Sequence, residues 1–248
     1  MPVRALWRAT RNRRRSIECA VRHGIVALCF ALASSDVPAQ LSGTASVVSD
    51  YRFRGISLSE NKPAAQLGIT YDDAQGWYAG AFASSTRFAN SSAVGLQAVP
   101  FVGYAWRAGG LTWDAGADYS AFTGATRRYN YPEVYLGAGS ENLSGRLYYS
   151  PKYFGRGSGV FYGEINASHL LSDRIRLLAH AGVLRSNDES AYYGSREVLF
   201  DGRVGVGVDF DQVNVQLTWV GTSSPSAAYG VTGVTSRNGP VLTLSRSF

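Results

Sequence analysis

From residue 40 onward, apolar and polar residues alternate along the chain in short runs. Such alternation marks β-strands, because successive side chains point to opposite faces. The clearest run sets Leu111, Trp113, Ala115, Ala117, Tyr119 and Ala121 against Thr112, Asp114, Gly116, Asp118 and Ser120. Another sets Val213, Val215, Leu217 and Trp219 against Asn214, Gln216 and Thr218. Runs of this kind predict about twelve strands. The first carries Ala45, Val47, Tyr51 and Phe53 on one face, with Ser46, Asp50 and Arg52 on the other. The last, 240–248, carries Leu242, Leu244 and Phe248 on one face, with Thr243, Ser245 and Ser247 on the other.

The connections sort by parity. Those after even-numbered strands are tight turns, such as Ala108-Gly109-Gly110, Glu141-Asn142 and Asp211-Gln212. Those after odd-numbered strands are long and polar: 55–63, 87–95, 122–131, 153–159, 185–196 and 221–239. A soluble sandwich has no reason to sort its loops in this way. A transmembrane barrel does, with short periplasmic turns and longer extracellular loops. One strand face is aliphatic and aromatic; the other holds the charges. Lipid offers a charge no partner, so the charged face is expected to turn into a lumen. Closure also removes the unpaired sheet edge that hydrocarbon would penalise. The expected fold is all-β: a single antiparallel up-and-down transmembrane β-barrel with both chain ends periplasmic.

Residues 1–39 read differently. Seven arginines precede an apolar run from Gly24 to Ala33, and Val37-Pro38-Ala39 offers a small-residue cleavage signal. This is the layout of a signal peptide, cut after Ala39, and it leaves 40–248 as the barrel domain. Its apolar run is too short to span a membrane as a helix, and no later segment approaches 18 apolar residues. The charge balance shifts with the cut. The full chain has 24 Lys+Arg and 18 Asp+Glu, but residues 40–248 hold 17 and 16. The basic excess belongs to the export segment, so no nucleic-acid partner is expected. Cys19 and Cys29 lie there too, which leaves no disulfide or thiol metal site, and no cofactor is expected.

Candidate chemistry lies on the polar face: Asp50, Arg52, Arg54, Asp114, Asp118, Glu133, Arg146, Lys152, Glu164, Arg176, Asp201 and Arg203. These charges would filter solutes in an open lumen, or pair and rigidify a closed one. Asp50, Arg52 and Arg54 share one face and would form a constriction or anchor the loop 55–63. Asp114 and Asp118 are four apart on one face; paired carboxylates can do acid–base or metal work, though a solvated wall also accommodates them. Strand alternation puts His169 on the apolar side and His180 in the lumen. No Gly-x-Ser-x-Gly, His-Glu-x-x-His or phosphate loop occurs. A hydrolase assembled across strands would need His180 and a lumen carboxylate. Leu242, Leu244 and Phe248 form the aromatic-ended strand expected of a C-terminal assembly signal, and Arg246 fits only by snorkelling at the interface.

Two blocks carry a family likeness. The first is Ser49-Asp50-Tyr51, then Phe53-Arg54-Gly55, then Pro63-Ala64. The second comprises Tyr131-Pro132-Glu133-Val134-Tyr135 and Tyr148-Tyr149-Ser150-Pro151-Lys152-Tyr153-Phe154-Gly155, with Gly76-Trp77-Tyr78-Ala79-Gly80 as a weaker match. Together they resemble the TorF family of porin-type outer-membrane proteins, whose physiological role is largely unassigned. The likeness covers essentially all of 40–248. It implies an outer-membrane barrel and supplies no substrate or catalytic residue. The resulting expectation is a passive channel for small hydrophilic solutes in the outer membrane of a Gram-negative cell. Its partners would be outer-membrane lipid and the barrel-assembly machinery. The alternatives are a closed barrel whose outer loops bind a ligand or partner, and a barrel enzyme.

Overall fold

The computed structural model describes residues 40–87, 94–124, 129–155, 159–186, 198–223 and 237–248. The predicted signal segment 1–39 and most of the loops 87–95, 185–196 and 221–239 lie outside the described residues. β1 (Gln40–Val48) leads to two short strands, β2 (Arg52–Phe53) and β3 (Ile56–Ser57). Then follow β4 (Ala64–Asp72), β5 (Trp77–Arg87), β6 (Val94–Ala108), β7 (Leu111–Phe122), β8 (Tyr131–Gly139) and β9 (Leu143–Ser150). A 3-10 turn at Tyr153–Gly155 precedes β10 (Val160–Leu170), β11 (Ile175–Ser186), β12 (Val198–Phe210), β13 (Val213–Thr222) and β14 (Gly239–Ser247). All but β2 and β3 join one antiparallel ring. β1 pairs with both β4 and β14, so twelve strands close without a free edge.

The seam is short on one side. β1 and β14 align over five positions, from Thr44↔Ser247 to Val48↔Thr243. Gly43 and Phe248 extend the seam by exchanging both backbone hydrogen bonds at 3.0 Å. The Phe248 ring lies on the outer wall over Gly43, where a Cβ would come within 2.5 Å of it. Glycine is required there for the ring to lie flat. Pro100 sits inside β6 without breaking the register. Ala98↔Ala121 and Phe101↔Asp118 stay in phase across it, and only the ladder positions beside the missing N–H drop out.

The alternation expected from sequence holds around the ring. Outward positions such as Val47, Ile69, Leu147, Ile165, Leu217 and Leu242 are exposed, Leu217 at 57%. Inward neighbours such as Gln66, Gln97, Asp114, Thr218 and Thr243 are buried. Call the end that carries Gln40 and Phe248 the near end. Its outer rim holds a contiguous aromatic row: Trp77 to Tyr104 at 5.1 Å, Tyr104 to Trp106 at 6.3 Å and Trp106 to Trp113 at 6.4 Å. Towards the far end, Tyr119, Phe161, Phe200 and Trp219 are exposed. An aliphatic band between aromatic girdles is the surface a bilayer requires. A soluble monomer rarely exposes so large an apolar area. Arg246 points outward at the near rim, where its guanidinium donates to Gln212 Oε1 at 3.4 Å. That rim position suits a snorkelling side chain.

One expectation about strand one is corrected. β1 ends at Val48, and the chain then turns into the barrel instead of continuing along the wall. Tyr51 and Phe53 are not on the outer face: they are 0% and 1% exposed inside the lumen. The segment 55–63 is likewise not a polar outer loop, since Ile56 and Leu58 are buried beside them. The reason is apolar content. Tyr51, Phe53, Ile56 and Leu58 find a core inside the ring, made by Val48, Phe82, Val99, Tyr131, Tyr153 and Phe154.

Candidate functional site

The inserted segment 49–63 is built on a two-residue hairpin. β2 and β3 pair at Arg52↔Ser57 and Phe53↔Ile56, which leaves Arg54 and Gly55 as the turn. Both have positive φ, 48° and 77°, as a type I′ turn demands. The tip crosses the lumen. A Cβ on Gly55 would lie 2.7 Å from Asp201 Cβ on β12 and 3.0 Å from Thr222 Cβ on β13. No other residue fits that contact without displacement.

Arg54 anchors the hairpin to the opposite wall. Its Nη2 donates to Glu133 Oε2 at 2.8 Å, and Nη1 and Nη2 both donate to Oε1 at 3.0 Å. Four rings surround the guanidinium, with the Tyr162 centroid at 4.2 Å and those of Phe53, Tyr148 and Tyr153 within 5.2 Å. Arginine suits this position because its planar, permanently charged fork accepts both carboxylate pairing and aromatic stacking. At the base of the segment, Asp50 accepts from Ser57 Oγ at 2.6 Å and Ser59 Oγ at 3.1 Å and pairs with Arg52. Arg52 also donates to the Arg237 carbonyl and to Asn61 Oδ1. Tyr51 donates to Gln97 Oε1 at 2.7 Å.

The remaining predicted residues lie elsewhere along the barrel. Asp114 and Arg146 meet at 2.6 Å between β7 and β9, and Tyr78 donates to the same Asp114 oxygen at 3.0 Å. Arg146 also lies 4.8 Å from the Tyr135 ring. Asp201 accepts from Tyr162 at 3.1 Å and lies 2.8 Å from His180 Nε2, while His180 Nδ1 meets Asn166 Oδ1 at 2.8 Å. Arg176 reaches Asp209 at 3.6 Å. Arg203 follows Asp201 on the same strand face, and Glu164 faces inward from β10. Asp118 sits opposite Glu133 in register, 7% exposed, with no hydrogen-bonding partner to either carboxylate oxygen among the described residues. Lys152 departs from expectation: it lies beyond β9 and is exposed, because the wall strand has already ended at Ser150. Asp114 and Asp118 do not form a carboxylate pair, since Arg146 takes the first and the second stands opposite Glu133. Among the described residues no group of three His, Cys, Asp or Glu is placed to hold a metal ion.

Several participants were not singled out by sequence. Tyr135, Tyr148 and Tyr162 are direct cross-strand neighbours and form an inward row on β8, β9 and β10. The available signal was their position on the charged face, beside Glu133, Arg146 and Glu164. Asp209 and Asn166 likewise lay on predicted polar faces.

The wall is not uniform. On β4–β8 most inward side chains are buried, including Gln66, Tyr78, Ser84, Gln97, Asp114 and Glu133. On β10–β12 the inward Glu164, Asn166, Arg176, His180 and Arg203 keep partial exposure. The polar space of the lumen therefore opens along the near-end half of β10–β12, while the far half of the same strands, at Val160, Tyr162, Leu184, Ser186 and Leu199, is buried with the inserted hairpin.

An apolar exterior, an inward polar face and a closed twelve-strand ring define a membrane-spanning β-barrel of porin type. Within that class, the chain belongs to the family described as bacterial protein of unknown function (Gcw_chp), whose model matches residues 32–248. No curated protein matches it in sequence. Among solved structures it is similar to the NanC porin, with a TM-score of 0.55, 10% identity, and 84% of this chain and 99% of that one covered. It is also similar to the KdgM porin, at a TM-score of 0.50 and 12% identity, covering 84% and 98%. A second KdgM structure holds disordered oligogalacturonate, at 11% identity, a TM-score of 0.50, and coverage of 84% and 97%.

Proposed function

We propose that this protein is a passive outer-membrane channel for small hydrophilic solutes, a porin of the kind the TorF resemblance implies. Residues 1–39 are its export signal, and both ends of the barrel chain lie in the periplasm. The carrying observation is the polar, partly exposed lumen face on the near-end half of β10–β12 inside a closed barrel. The charged positions named above act as lumen determinants and not as catalytic groups. His180 does meet a carboxylate, but the hydroxyl at that site is the buried Tyr162. The oligogalacturonate of the KdgM complex makes oligosaccharides one solute class to try.

A second reading, a closed barrel serving through its outer loops, is favoured by the inserted hairpin. Burial of Phe53, Ile56 and Leu58 contributes roughly 5–9 kcal/mol, so thermal motion alone does not empty the lumen. Planar bilayers separate the two. Discrete conductance steps from the folded protein support a path beside the hairpin. Silence in the intact protein, with steps once residues 52–57 are replaced by Gly and Ser, shows a plugged channel. Silence in both defeats the channel reading.

The β14 residues Leu242, Leu244 and Phe248 serve in assembly. Removing Phe248 deletes two seam hydrogen bonds and the ring over Gly43. The barrel-assembly machinery should then deliver several-fold less protein to the membrane. Unchanged membrane levels would remove the assembly role.

A further inference from the structure

The segment 49–63 leaves the wall and returns to it at one place. Val48 and Ala64 are partners in the β1–β4 ladder, so the ring is complete beneath the hairpin. Withdrawing the hairpin therefore breaks no wall pairing. The segment also carries its own fold. Asp50 accepts from Ser57 and Ser59 and pairs with Arg52. Tyr51 N donates to Ser59 Oγ at 2.8 Å, and Leu58 N donates to the Tyr51 carbonyl at 2.8 Å. Lys62 and Glu60 pair inside the segment as well.

With the hairpin in place, the far half of the lumen is sealed all round. Each of the twelve wall strands presents a buried inward side chain there, from Val48 on β1 through Thr86, Tyr131, Tyr162 and Leu199 to Val241 on β14. The near half keeps partial exposure at Glu164, Asn166, Arg176 and His180. The lumen is thus a cup, open at the near end and closed at the far end by one inserted element.

The contacts that hold this element to the wall differ in strength. Tyr51 donates to Gln97, the Leu58 carbonyl accepts from Arg87 N at 2.9 Å, and Arg52 donates to the Arg237 carbonyl. Water can replace single hydrogen bonds of this kind once the hairpin leaves. The Arg54–Glu133 fork is the ionic tie, and both side chains are almost fully buried. A buried guanidinium depends on its counter-charge.

We propose that 49–63 is a gate. It closes the far half of the lumen, swings out as one folded unit about the Val48 and Ala64 hinge, and is latched by Arg54 on Glu133. The proposal rests on the channel reading above and supplies its regulation: solute passes only when the hairpin is withdrawn.

The test reads hairpin position and conductance separately. Outside 1–39 the chain has no cysteine, so Ile56→Cys places a single thiol in the barrel, within the buried core. A membrane-impermeant maleimide should modify it slowly. Adding Glu133→Gln with Asp118→Asn leaves no carboxylate facing Arg54 from that wall, because Asp118 stands opposite Glu133 in register. Modification should then be about tenfold faster or more, with heat-modifiable gel mobility confirming folded barrels in both backgrounds. In planar bilayers the intact protein should be silent and the Glu133→Gln, Asp118→Asn protein should show steps. Those steps should match in size the steps of the barrel with residues 52–57 replaced, since the lumen is empty in both. Steady conductance from the intact protein overturns the gate and leaves the channel. Steps from the hairpin-replaced barrel alone, with maleimide modification unchanged by the latch substitutions, make the hairpin a fixed plug and also overturn the gate. Silence in all three proteins overturns the channel reading and the gate with it.

Discussion

The two sides of the lumen are made from similar residue types and behave differently. On β4–β8 the carboxylates and tyrosines are buried: Glu133 is 2% exposed and holds Arg54 in a three-contact fork. At the near-end rim of β11 and β12 the pairing is looser: Arg176 and Asp209 meet at 3.6 Å with both side chains partly exposed. The difference comes from the hairpin 49–63. Its apolar residues fill the far half of the lumen, in one core with Phe82 and Val99 and with Tyr162, Leu184 and Leu199, and leave the near half of β10–β12 to water. The same salt bridge is therefore a different object on the two walls. Dry, it depends on excellent geometry and is expensive to break; wet, it is nearly dispensable.

The largest expected effect follows from cutting the dry pair. Glu133→Ala leaves the Arg54 guanidinium buried among four rings without its counter-charge. Removing one member of a buried pair costs about 3–5 kcal/mol. Urea unfolding of the refolded barrel should show a loss of that size. Proteolysis of 49–63 should rise as the hairpin leaves the lumen. A loss below about 1 kcal/mol would mean that the hairpin is held by its apolar residues alone.

A smaller effect is expected at the hairpin tip. Gly55 has φ of 77° and no room for a Cβ beside Asp201 and Thr222. Gly55→Ala adds a strained turn and a clash, together about 1–3 kcal/mol. The lumen contacts at β12 and β13 should loosen while the ring of wall strands stays closed. Hydrogen exchange would report this as faster exchange in 49–63 against unchanged protection in β6 and β7. Equal loosening in both would show that the hairpin is part of the barrel's folding unit.

Sequence disclosed the ring well and the hairpin poorly, for a physical reason. A wall strand has two environments, lipid and lumen, and period-2 alternation encodes them directly. Leu111 to Ala121 and Val213 to Trp219 could be placed by that rule alone. The same rule misled at Tyr51 and Phe53, because they continue the period of Ala45 and Val47 after the strand has ended. An aromatic side chain suits a lipid face and a buried core equally, so its type cannot separate them. Ile56 and Leu58 were the legible warning, being two aliphatic residues in a supposed polar loop. Arg54-Gly55 also lacks the Asn or Asp that usually announces a type I′ turn. The pairings were less legible still. Arg54 and Glu133 are 79 positions apart, and only closure of the ring and insertion of the hairpin bring them together.

The smallest expected effect is the control for the comparison. Asp209→Ala breaks the Arg176 pair on the wet side, and a partly exposed pair of this kind contributes less than about 1 kcal/mol. Asp209 also accepts from Asn214 Nδ2 at 2.6 Å, a contact that water can replace at the near rim. The predicted unfolding midpoint is therefore close to that of the unaltered protein, and raising the salt concentration should shrink even that difference. If Asp209→Ala instead costs as much as Glu133→Ala, the near half of the β10–β12 wall is as dry as β4–β8. The polar space along it would then be too occluded to carry a solute.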